Sequence, residues 1–199
     1  MRRLSLTDFV DIVSKSGTPK ATKVRQVKER PDYSPSIDYY KNMRDAIVQL
    51  SRGDFGENSL DDIITNTSPK KRENYTVIKN GFSKWRGKKE LVWFDPPSRL
   101  YENSGISVSV NPELGLIING TSHLVKLYFK PEELTKNRVD IITYLMTTCL
   151  KEYTPPNTTM SILDLRQSKL ITEPTPSDIL ATLINAELAY IATIWDSLQ

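Results

Sequence analysis

The sequence predicts an α/β chain, with α+β as the alternative class: a small mixed sheet of four or five strands with helices on both sides. Three observations carry this expectation. Tyr75, Ile78, Phe82 and Trp85 step by three, four and three, which places four large side chains on one helical stripe. Ile106, Val108 and Val110 alternate with Ser107 and Ser109, the period of a half-buried strand. Asn119–Gly120 stands between two apolar runs and is a strong short-range signal for a type I′ hairpin, whose two central residues need positive φ.

The elements follow in order. Thr7 is read as the cap of a first helix, with Phe9, Val10, Ile12 and Val13 as its apolar face and Gly17 and Pro19 as its end. Residues 18–36 read as an extended basic arm, with Val24 and Val27 as anchors for a brief turn of helix within it. A second helix is expected over 35–51, with Ser34 as N-cap, Pro35 at its first position, and Ile37, Tyr40, Met43, Ile47 and Leu50 on one face. A short helical turn follows Ser59, and a third helix spans 69–85. Strands are expected at 91–94, over 106–118 and at 122–129, the last two forming an antiparallel meander around the Asn119–Gly120 turn. A helix over 134–152 ends at Pro155–Pro156. Residues 160–165 read as a strand. The last helix begins after Pro176, with Ser177 as its cap and Leu180, Ile184, Leu188 and Ile191 on a broad apolar face. The chain divides on this reading into a helical basic N-terminal region, 1–68, and an α/β core with a C-terminal helix, 69–199.

Charge and composition exclude several classes. The 199 residues fit about one domain. A single cysteine, Cys149, excludes a disulfide scaffold. No signal peptide and no run of 18 apolar residues is legible, so the expectation is a cytoplasmic chain away from membranes. The net charge of +3 is uneven: residues 1–30 carry eight Lys/Arg against three Asp/Glu, and residues 61–100 nine against five. Such blocks fit contact with phosphates. G-x-x-x-x-G-K-[ST], G-x-G-x-x-G and G-x-S-x-G are all absent. His123, the only histidine, has no ligand partners nearby in sequence for zinc, and Cys149 reads as packing.

The order of elements from 69 to 165 is α-β-β-β-α-β. It resembles the common core of the PD-(D/E)XK nuclease superfamily. The resemblance implies a carboxylate on the second strand and an E-x-K on the third, together holding divalent metal beside a phosphate. Glu113, beside the second strand, and Lys126, on the third, stand nearest those places, and Glu73 on the preceding helix stands where some members carry an accessory carboxylate. The E-x-K itself is broken: Leu124 lies two before Lys126, and Tyr128 two before Lys130. Mg²⁺ is therefore implied only if nuclease chemistry survives; otherwise no cofactor and no metal are expected.

Two functions follow as expectations. The first is a non-enzymatic interaction protein that docks a protein partner, or a second copy of itself, through the apolar helices 35–51 and 177–198. The alternative is a nucleic-acid-associated protein with a degenerate nuclease-like core, in which Arg72, Lys84, Arg86, Lys88 and Lys89 contact phosphates. The sequence leaves catalysis open.

Overall fold

A computed structural model describes residues 2–31, 38–54, 56, 59–172 and 178–198. Its elements are β1 (Arg2–Ser5), α1 (Leu6–Val13), α2 (Gly17–Lys28), α3 (Lys41–Arg52), α4 (Ser59–Asn66), α5 (Pro69–Arg86), β2 (Leu91–Phe94), β3 (Arg99–Asn103), β4 (Ile106–Val110), β5 (Leu114–Ile118), β6 (Thr121–Tyr128), α6 (Lys136–Leu150), β7 (Thr159–Asp164), β8 (Lys169–Thr172) and α7 (Asp178–Ser197). The strands form two mixed sheets: a five-stranded sheet in the order β2-β5-β6-β7-β8 and a three-stranded sheet in the order β1-β4-β3.

The five-stranded sheet is covered on both faces. Alternation along β6 sends Val125 and Leu127 to one side, where they meet Leu114, Leu116, Leu163 and the buried stripes of α3, α4 and α5. It sends Leu124 and Tyr128 to the other side, with Ile162, α6, α1, α7 and the three-stranded sheet. Strand β6 is buried along most of its length, as a central strand packed on both faces must be. The α5 stripe behaves as its spacing predicts: Tyr75, Ile78, Phe82 and Trp85 are all buried. Asn119 (φ 48°) and Gly120 (φ 86°) turn β5 into β6 through the expected positive-φ pair.

Several expectations are corrected. The 106–118 stretch is two strands in two sheets. Pro112 has no N–H to extend a ladder, and the chain crosses from β4 to β5 at Asn111–Pro112–Glu113. The antiparallel meander in one sheet is thus β2-β5-β6 rather than residues 106–129. The 18–36 arm contains α2, in which Pro19 sits in the first turn, where a helix tolerates a missing N–H. Ties to α7 hold it: Lys20 reaches Glu187, and Lys28 reaches the backbone oxygens of Trp195 and Leu198. Ser5, not Thr7, caps α1, its hydroxyl accepting the Asp8 N–H at 3.0 Å. The helix expected from 35 starts at Lys41. Ser34, Pro35, Ile37 and Ser177 lie outside the described residues.

The helices expected to dock a partner spend most of their apolar faces internally. Met43, Ile47 and Leu50 of α3 and Ile184, Leu188 and Ile191 of α7 are buried in the chain's own core. On α7, Ile179 and Leu183 remain open, at 67% and 55% exposure. Among the described residues α7 is also the one helix long and apolar enough, by length and composition, to cross a membrane. Yet it packs on α2, α6, β3 and β4 here.

Candidate functional site

Strand β6 runs parallel to β7, and their C-terminal ends lie together. Ligands of open α/β sheets gather at such strand ends, where backbone groups and loops converge. A cleft of about 570 Å³ opens at the end of β6. Its walls come from the start of α1 (Ser5–Asp8), Arg30 and Pro31 beyond α2, Asp38, Tyr40 and Arg44 at the start of α3, Asn111–Glu113, and Lys126–Lys130. That size is on the scale of small-molecule sites.

The hairpin register builds the centre of the cleft. The two-residue turn at Asn119–Gly120 sets Ile118 opposite Thr121 and Leu114 opposite Val125. One further step brings Glu113 across from Lys126. Lys126 Nζ donates to Glu113 Oε1 at 2.6 Å and to the Asn111 carbonyl at 3.0 Å, while the Leu127 N–H donates to Glu113 Oε2 at 2.8 Å. Both side chains are largely buried, at 12% exposure for Glu113 and 10% for Lys126.

Two further pairs line the walls. Arg30 grips Asp8 with two bonds, at 3.0 and 2.8 Å, and the Ser5 hydroxyl lies 2.7 Å from Asp8 Oδ2. Burial pushes the Asp8 carboxyl up, but the Arg30 and Ser5 hydrogen bonds and the charges of Arg30 and Lys23 outweigh it, so it ionises below the usual carboxylate range. Arg44 donates to Asp38 at 2.8 Å. Burial opposes the Arg44 charge, yet its bond to Asp38 and the fields of Asp38 and Glu113 hold it more firmly protonated than usual.

Of the residues singled out from sequence, Glu113 and Lys126 meet in this cleft. Glu73 does not line it and is exposed on α5. Arg72 donates to the backbone oxygens of Thr65 and Thr67 at the end of α4. Lys84, Arg86, Lys88 and Lys89 cluster around the C-terminus of α5, a favourable place for cations beside the helix dipole. Lys89 bonds the Trp85 carbonyl and lies over the Trp85 ring. None of these four lines the cleft. Sequence reading passed over Asp8, Asp38 and Arg44, because only tertiary packing brings the N-terminal helices to the end of β6. The register argument for Glu113 and Lys126, by contrast, is available from the Asn119–Gly120 turn alone.

The donor set does not suit a divalent metal. Among the described residues no three His, Cys, Asp or Glu side chains converge. Both Glu113 oxygens already accept hydrogen bonds, one of them from a cation.

His123 lies outside the cleft, buried on β6, with Nδ1 at 2.9 Å from Ser161 Oγ. Burial lowers its pKa below 6.5. The unfolded chain therefore takes up a proton near pH 6.5 that the folded chain refuses. Stability attributable to this group is full above pH 6.5, falls as pH drops below it, and stops falling below the folded pKa. Urea midpoints of the wild type and His123→Gln between pH 7.5 and 5 check this: the difference between the two proteins is expected to shift in favour of the variant at the lower pH. Cys149 is partly buried, and burial pushes its thiol up to about 11, so no thiolate nucleophile forms near neutrality.

Comparison of the chain with protein-family models, curated proteins and solved structures returns no match.

Proposed function

We propose that the chain is a non-catalytic nucleic-acid-binding protein that holds phosphate groups in the cleft at the end of β6. The observation that carries this reading is the convergence of Arg30, Arg44, Lys126 and Lys130 on one strand-end cleft, where they outnumber the lining carboxylates Asp8, Asp38 and Glu113 by one. Two things support it further. The reading draws on the resemblance of the sequence to a nuclease-like core; the chain itself runs α5-β2-β3-β4-β5-β6-α6-β7, with β3 and β4 in the other sheet and β6 parallel to β7. In such a core a carboxylate and a lysine at the Glu113 and Lys126 positions would serve a metal; here they bond each other, which favours holding a backbone over cutting it. A cytoplasmic location belongs to the same reading.

Anisotropy of a labelled short single strand, and of the matching duplex, tests it. Each phosphate held predicts that affinity for the single strand falls roughly 2.6-fold between ~50 and ~200 mM salt, with no strand scission in Mg²⁺. Absence of binding at ~50 mM salt contradicts the reading. The second reading is self-association through α7, favoured by the exposed Ile179 and Leu183. A sedimentation mass twice that of the chain, reduced by Leu183→Glu, is its signature.

A further inference from the structure

Phosphate contact uses the cations of the cleft and leaves its apolar walls without a role. Leu6, Pro31, Tyr40, Pro112 and Phe129 line it beside the charged residues. A sugar-phosphate backbone alone would leave that apolar surface facing water, an arrangement burial against a ligand would relieve. Two of the five are aromatic and act as a pair. Tyr40, at the N-cap of α3, stacks on Phe129 just past the end of β6, with ring centroids 5.1 Å apart and planes 23° from parallel. Phe129 is buried and Tyr40 half-buried, so Tyr40 is the more open ring of the pair. Its position is fixed: its hydroxyl accepts from the Asn74 amide at 3.3 Å, and the Tyr39 ring meets it nearly at right angles. A cation of the cleft stands close to each ring along the chain. Lys130 follows Phe129, and Arg44 lies one helical turn beyond Tyr40, its N–H bonded to the Tyr40 carbonyl.

A nucleotide joins both chemistries in one ligand, a flat π face and a phosphate close to it. Stacking on an aromatic ring suits any base, while cations beside the ring track the backbone. Bases of a duplex are paired and stacked on one another, so only an unpaired base can enter. The cleft, at about 570 Å³, is on the scale of sites that hold small ligands. The Asn111 amide and the Thr7 hydroxyl also line it and make no hydrogen bond among the described residues, which leaves them open to the edge of a base. We infer that the cleft takes an unpaired base of a single-stranded nucleic acid, laid against the Tyr40 ring. This rests on the nucleic-acid reading above and adds the base to the phosphate.

The test keeps the phosphates and removes the bases. A short single strand and a fully abasic strand of the same length are compared at ~50 mM salt, where phosphate contacts are strong. The strand with bases is expected to bind about tenfold tighter, the scale of one stacked base. Tyr40→Leu keeps an apolar side chain and loses the ring. It is expected to bring that ratio below about threefold while affinity for the abasic strand stays within about twofold of wild type. Tyr40→Phe is expected to keep the full ratio. A strand carrying 2-aminopurine, whose fluorescence falls on stacking, gives a second readout that needs no variant, and quenching on binding to the wild type is expected. Equal binding of the two strands, absence of quenching, or a ratio unchanged by Tyr40→Leu overturns the inference and leaves phosphate binding standing. No binding of either strand removes both.

Discussion

Replacing Gly81 by Ala is expected to abolish stable folding. A Cβ at this position would sit 1.5 Å from the carbonyl oxygen of Leu165 and 2.7 Å from its carbonyl carbon. The obstacle is backbone just beyond β7, so no side-chain rotation relieves it. Helix α5 must instead lift off the sheet, opening the contacts of Ile78, Phe82 and Trp85, which lie around residue 81 on the buried stripe. Helix propensity alone predicts the opposite sign: Gly→Ala in a helix interior gains about 1 kcal/mol. Overpacking that forces backbone apart costs about 3 kcal/mol or more, a large part of the 5–15 kcal/mol by which domains are commonly stable. Urea denaturation followed by circular dichroism decides between the two. A loss of most of the stability, or no folded protein, is expected. A gain, or a loss under about 1 kcal/mol, would contradict the packing of α5 on β7.

The Glu113–Lys126 pair carries the second large effect. Lys126→Met removes the 2.6 Å donor from a carboxylate that is mostly buried and leaves it the Leu127 N–H alone. Stranding a charge in this way costs about 3–5 kcal/mol at fully buried sites. The pair still borders the cleft, so about 2–4 kcal/mol is expected. Glu113→Gln is milder, near 1–2 kcal/mol, because Lys126 keeps the Asn111 carbonyl and the Gln side chain still accepts a hydrogen bond. The double variant Lys126→Met/Glu113→Gln is expected to be more stable than the sum of the single losses by at least about 1 kcal/mol, since it leaves no unpaired charge. Additive losses would show that the pair is not a coupled unit.

These two cases mark what was legible in the sequence and what was not. By propensity alone Gly81 is a weak point of a helix; its role appears only when Leu165 is seen to cross it. Long periodic elements were legible because their burial follows their period, as in the Tyr75–Trp85 stripe. The short strands β1, β3 and β8 were not. Arg2–Ser5 holds one buried apolar residue, Leu4, and its strand exists because β4 offers a parallel partner 104 residues further along the chain. Helix α2 buries only Val24, so its stability comes from ion pairs and hydrogen bonds to α7 that no local window contains. Within the candidate site the same division holds. The Glu113–Lys126 pairing is written in a hairpin turn between them, whereas Asp8, Asp38 and Arg44 reach the cleft only through the packing of the N-terminal helices on the core.

The most direct test of the central claim maps where nucleic acid touches the chain. Amide spectra of ¹⁵N-labelled protein would be recorded while a short single strand is added at ~50 mM salt, where phosphate contacts are strong. The account predicts shifts concentrated at Ser5–Asp8, Asn111, Glu113 and Lys126–Lys130, residues that line the cleft. Shifts confined to α7, or no shifts at saturating strand, would contradict it.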